Sequence, residues 1–228
     1  MRLPCAIVVS CVFAAATAAQ TPSPATSELT FTGVSANVAE PGQSVRIRLF
    51  KFSDDRERQP MIAALNPPPA PAAARGDGAA GRGGRAGAGR GGRGRGRAAA
   101  PAAPLTPTQA LAGAIQRAPT IGYIWTNDVT GYSIKYAYRV PSPEGGERIV
   151  LAVDRRLGTH AAAWQPVSPQ PPTDYPFTVL EIRLDRSGIG EARSSLTSNV
   201  VVDKQADTLA LESYTAAPAI LQKVRKAL

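Results

Sequence analysis

The sequence predicts an α+β fold that is mainly antiparallel β: a curved meander sheet or open barrel of about eight strands, with a short helical hairpin and a C-terminal helix. Three observations carry this expectation. Short segments rich in Val, Ile, Thr and Tyr recur with turn residues between them. One Arg/Gly-rich run separates two helix-start signals, and the last dozen residues carry an amphipathic period.

The elements follow in order. Glu28 to Val38 and Ser44 to Phe52 flank the turn Ala39-Glu40-Pro41-Gly42-Gln43, and in the second segment Val45, Ile47 and Leu49 alternate with Arg46 and Arg48. That period of two is a strand with one buried face. Ser53 or Asp54 then caps a helix through Leu65, with Asp54 and Glu57 at capping-box spacing. Pro60 lies within it, so the helix is expected to kink there or to restart with Pro60 in its first turn. A second helix starts at Thr106-Pro107, its stripe formed by Leu111, Ala114 and Ile115, and ends at Pro119.

From Thr120 a meander is expected. Thr120 to Thr126 pairs with Tyr132 to Val140, Glu147 to Asp154 follows, and Phe177 to Leu184 pairs with Ile189 to Leu196. Asn199 to Asp203 then pairs with Thr208 to Tyr214 across a four-residue turn. Strict alternation sends Tyr132, Ile134, Tyr136, Tyr138 and Val140 to one face. From about Ala217, Ile220, Leu221, Val224 and Leu228 share one face of the expected terminal helix, with Lys223, Arg225 and Lys226 in its last turns.

The leader and the insert bear on location. Arg2 precedes the uncharged run Cys5 to Ala16, and small residues follow at signal-peptidase spacing, so residues 1–19 read as a secretory signal and 20–27 as a tail. The chain is therefore expected to be exported, periplasmic or extracellular, with no transmembrane span left after cleavage. A minor variant lipidates Cys11, which follows Val8-Val9-Ser10. Cys5 and Cys11 are the only cysteines, so cleavage removes disulfide, thiolate and Cys-metal chemistry. Residues 28–228 form one domain interrupted by an Arg/Gly/Ala/Pro-rich insert at 66–104, whose composition predicts disorder.

Charge is concentrated in that insert. The chain carries +9, of which Arg75, Arg82, Arg85, Arg90, Arg93, Arg95 and Arg97 against Asp77 supply +6; with Arg2 in the leader, the rest holds only +2. The arginines are candidate contacts for anionic envelope polymers or lipid head groups. Nucleic acid is disfavoured, because the insert lacks interleaved aromatics and an exported chain rarely meets RNA.

Chemistry finds little support. His160 is the sole histidine, which leaves no transition-metal set and no cofactor motif. A hydrolase would need His160 with Asp174 and Ser194 or Ser195, none in a nucleophile elbow. The carboxylates Asp154, Asp174, Glu181, Asp185 and Glu191 sit beside turns or alternate with apolar residues, as on a solvent face. Tyr132, Tyr136 and Tyr138, with Tyr123 and Trp125 on the neighbouring strand, would line a ligand cavity if the sheet closed around one.

Three stretches, Arg148 to Arg155, Tyr175 to Asp185 and Val200 to Tyr214, together with RIRLFKFSDDRER from Arg46, resemble a family of small exported bacterial proteins of unknown function. The resemblance implies an envelope or extracellular setting and assigns no site. The expected function is thus a non-enzymatic exported binding or structural protein. The alternatives are a small-ligand-binding barrel, a polyanion-adhering protein acting through the insert, and a hydrolase using His160.

Overall fold

The computed structural model describes residues 28–67, 104–126, 131–142, 145–159 and 164–227. The leader, the tail, residues 68–103 with their seven arginines, and His160 lie outside the described residues. In chain order the elements are β1 (Leu29–Ser35), β2 (Ser44–Leu49), α1 (Asp55–Leu65), α2 (Pro107–Arg117), β3 (Gly122–Trp125), β4 (Tyr132–Pro141), β5 (Glu147–Val153), β6 (Thr178–Leu184), β7 (Ile189–Ser194), β8 (Val200–Asp203), β9 (Thr208–Leu211) and β10 (Ala219–Lys226).

Eight strands close a barrel in the order β1-β10-β7-β6-β5-β4-β3-β2, every pair antiparallel. Strands β1 to β7 wind round as a meander. The β8–β9 hairpin then leaves the wall, and β10 returns to close it between β7 and β1. The expected curved sheet is therefore a full closure, which removes the exposed edges that an open sheet would carry.

The interior is apolar and filled. Phe31, Val45, Ile47, Leu49, Ile124, Ile134, Ile149, Leu151, Ile182, Leu221 and Val224 belong to one packed cluster, which includes Trp164 at 0% exposure. A barrel of eight strands is just wide enough for side chains to fill. With apolar residues inside and arginines outside, its polarity is the reverse of a lipid-spanning barrel, whose outer band is apolar. No helix among the described residues is long and apolar enough to cross a membrane.

A second core lies outside the barrel. Met61 of α1 and Leu111, Ala114 and Ile115 of α2 pack on Tyr136, Val150, Ala152 and Val179 of β4 to β6, and Leu209, Leu211 and Tyr214 complete the layer. Strands β5 and β6 are thus buried on both faces, which is why RIVLAV and TVLEIRL read as near-continuous apolar runs. Both capping boxes form, Asp54 with Glu57 and Thr106 with Gln109. Helix α1 runs unbroken from Asp55 to Leu65 with Pro60 inside it, rather than restarting there. Pro60 lies on the exposed side, so the carbonyl that it leaves unpaired faces water.

Bulges in two strands correct the sequence reading. The C-terminal segment is strand β10, not a helix. Its register slips twice against β7 and once against β1, and Lys223 takes φ 53°. The extra residues stretch the period of two, so that Ile220, Leu221 and Val224 all reach the interior at helix-like spacing. In β4, Ile134 and Tyr136 oppose the consecutive residues Val153 and Ala152 of β5, which makes Lys135 the extra residue. Ile134 accordingly faces the barrel interior, whereas Tyr136 and Tyr138 face the outer layer.

Candidate functional site

The bulge at Lys135 divides the aromatic row, so it lines no single cavity. Tyr132 packs edge-on against Trp164 at one end of the barrel, ring centroids 6.5 Å apart. Tyr136 is fully buried under the helices and shares a hydrogen bond with the Thr208 hydroxyl, while Arg58 lies over Tyr138 at 4.7 Å. Tyr123 and Trp125 point outward from β3 and meet Phe50 and Arg46. The interior positions that a bound molecule would need are occupied by side chains.

The hydrolase residues fare no better as a group. Ser195 Oγ accepts the Val179 N–H at 2.9 Å and Ser194 Oγ accepts the Leu196 N–H at 3.4 Å, both hydroxyls buried between strands. Asp174 is exposed in the loop before β6. Asp185 accepts from the N–H and hydroxyl of Ser187 and from the Ile189 N–H, which holds its carboxyl below the usual range and closes the β6–β7 turn. Among the described residues, no three His, Cys, Asp or Glu side chains gather as a metal site would require.

Glu181 departs from the solvent-face expectation. It is on the outer face of β6 but is 0% exposed, because the β8–β9 hairpin covers it. Its carboxylate accepts from Arg183 at 2.7 and 2.9 Å and from the Leu211 N–H at 3.0 Å, with Arg148 4.0 Å away. Arg148 donates to Asp203 at 2.6 Å, and Arg193 pairs with Glu191 at 2.6 Å. The Tyr214 ring is held between the guanidinium groups of Arg183 and Arg193, 3.6 and 4.8 Å from its centroid. Burial pushes the Tyr214 hydroxyl up to about 12, and the same cause raises Tyr136 to about 12. For Asp203, burial works upward, but the bonds from Arg148 and the Gln205 and Ala206 amides outweigh it and the carboxyl is lowered. Three cations thus meet three carboxylates, and the cluster clasps the hairpin to the barrel.

The opposite wall, the outer face of β10, β1, β2 and β3, is covered by no helix or hairpin among the described residues. Its registers place Trp125, Arg46, Thr32, Arg225 and Ile189 side by side on five consecutive strands, β3-β2-β1-β10-β7. A second row runs Ser133, Tyr123, Arg48 and Thr30 from β4 to β1. Between β1, β10 and β7 lies a groove of about 460 Å³ lined by Thr32, Gly33, Val34, Ser44, Ile189, Lys223 and Arg225. It occupies the β10 bulge, where Lys223 is turned by its positive φ. Every lining residue there is apolar, hydroxyl-bearing or cationic.

Charge pairing separates the walls. On the bare wall, Arg46, Lys223 and Arg225 have no ion pair among the described residues, and Arg48 pairs with Glu28, whose own pKa that bond lowers. Arg46 rests over the Trp125 ring at 5.9 Å. Glu40 sits beyond, in the β1–β2 turn. Three of the exposed large apolar side chains, Val34, Tyr123 and Ile189, also lie on this wall. Sequence reasoning found Tyr123 and Trp125 but missed Arg46, Arg48, Lys223, Arg225, Val34 and Ile189 as a group. The Arg46/Arg48 alternation was the available signal; the helix assigned to β10 hid the rest. Comparison with family models, curated proteins and solved structures finds no match to this chain.

Proposed function

We propose that this chain is an exported, non-enzymatic binding protein whose working surface is the bare wall of the barrel, where it holds an anionic partner. One observation carries the reading: Arg46, Lys223 and Arg225 on this wall have no ion pair among the described residues, while the arginines of the covered wall are matched by carboxylates. Unpaired surface cations in register attract polyanions and release their counterions. The leader supports export, and the buried, occupied hydroxyls of Ser194 and Ser195 support binding over hydrolysis.

Retention of the full chain on a sulfated-polysaccharide column tests this. The triple variant Arg46→Gln/Arg48→Gln/Arg225→Gln is expected to elute at lower salt, with the slope of log K against log salt reduced by about three. Elution at the wild-type position overturns the wall as the site. Deletion of residues 75–97 measures the insert separately; loss of all retention in that deletion alone assigns adhesion to the insert. Cell fractionation tests export, and an unprocessed cytoplasmic chain refutes it.

A further inference from the structure

We infer that the partner of the bare wall is an anionic lipid surface, on which the protein sits peripherally through its headgroup layer. This rests on the reading of the bare wall as an anion-binding surface and adds the class of partner. A soluble polyanion requires only the cations. The wall offers more: Ile189 at 49%, Tyr123 at 40% and Val34 at 38% exposure are interspersed with Arg46, Arg48, Lys223 and Arg225, and Trp125 ends the central row. Trp and Tyr favour the interface between water and hydrocarbon, and short apolar side chains among cations gain by entering the headgroup boundary.

The geometry suits a surface. The wall is convex, since β3 and β7 stand four places apart in the ring of eight, so a plane meets its middle, Arg46, Thr32 and Arg225 on β2, β1 and β10, with the groove beside them. The bulge groove gives one headgroup a defined seat. Lys223 and Arg225 supply the charge for a phosphate, Thr32 and Ser44 supply hydroxyl donors, and Val34 and Ile189 flank it with apolar surface. The negative potential of such a membrane attracts each of these cations. None of the groove's lining residues is acidic.

The test is co-sedimentation of the full chain with vesicles, either purely phosphatidylcholine or containing about three parts in ten phosphatidylglycerol. Binding is expected only to the anionic vesicles. Val34→Asn/Ile189→Asn should weaken it about tenfold while leaving elution from the sulfated-polysaccharide column unchanged. Arg46→Gln/Arg48→Gln/Arg225→Gln should weaken both. Tryptophan emission gives an independent signal, since Trp125 is half-buried on this wall and Trp164 is fully buried in the barrel. A blue shift with anionic vesicles, absent in Trp125→Phe, is expected.

Wild-type vesicle binding by Val34→Asn/Ile189→Asn overturns the lipid assignment. So does polymer binding without vesicle binding, an outcome that leaves the anion-binding wall standing. If the cation triple changes neither assay, the wall itself is refuted. Far-UV circular dichroism of each variant verifies that it is folded.

Discussion

The two walls of the barrel are built from the same strand geometry yet carry opposite kinds of surface. Over β4, β5 and β6, the helices and the β8–β9 hairpin bury the outer face, and its charges are matched pairwise. Over β10, β1, β2 and β3, the outer face meets water with cations in excess. Both insertions into the meander, α1–α2 between β2 and β3 and β8–β9 between β7 and β10, fold onto one side. The difference teaches that one wall carries the second core and its matched charges, whereas the other keeps its cations in water.

The largest effect is expected from hollowing the covered wall at Tyr136, which the bulge at Lys135 turns toward the helices. Tyr136→Ala removes a fully buried ring from the layer that holds Met61, Leu111 and Val179, together with its hydrogen bond to Thr208, so a loss of about 4 kcal/mol in urea unfolding is expected. A loss under about 1 kcal/mol in that variant would break the comparison.

Next, Glu181→Ala leaves the half-exposed Arg183 without its carboxylate and the buried Leu211 amide without an acceptor under the hairpin, while Arg148 keeps only Asp203. A loss of about 3 kcal/mol in urea unfolding is expected. A loss under about 1 kcal/mol would show that the clasp contributes little.

An alkaline loss comes third. Tyr136 and Tyr214 have folded-state values of about 12 against an ordinary 10. Below about pH 10 both states are protonated and the stability is fully present; as pH rises toward 12, the unfolded chain releases the protons first and stability falls. The decline is on the order of 2 kcal/mol per tyrosine, less for the more accessible Tyr214. Tyr136→Phe should make the melting temperature less sensitive to pH over that window, and unchanged sensitivity would remove Tyr136 from the account.

The smallest stability effect belongs to the bare wall. Arg46→Gln should change unfolding free energy by less than about 0.5 kcal/mol while lowering the salt needed for elution from an anionic column. A stability loss comparable with that of Glu181→Ala would erase the distinction between the walls.

Much of the fold was legible because local chemistry and tertiary packing agreed. The turn at Pro41-Gly42, the Asp54/Glu57 capping box, the Thr106-Pro107 helix start and the Val45/Ile47/Leu49 alternation each point to what is observed. The bulges at Lys135 and Lys223 were not legible, since one extra residue is set by pairing with a distant strand and leaves no local mark. Glu181 was misread for a related reason. Alternation locates a side chain on the outer face of β6 but cannot say that β8–β9 will later cover that face. The bare wall was half legible, as Arg46 and Arg48 were visible while Arg225 and Ile189 became their neighbours only on closure.

Closure by the final strand also sets a schedule. Phe31 pairs with Lys226 and Val34 with Gln222, so the seam joins segments near opposite ends of the chain. Contacts of such sequence separation form late and slow the search. Until β10 arrives, β1 and β7 are open edges able to template wrong partners. The groove and the row of basic residues straddle that seam, so both are complete only when the last strand has locked in place.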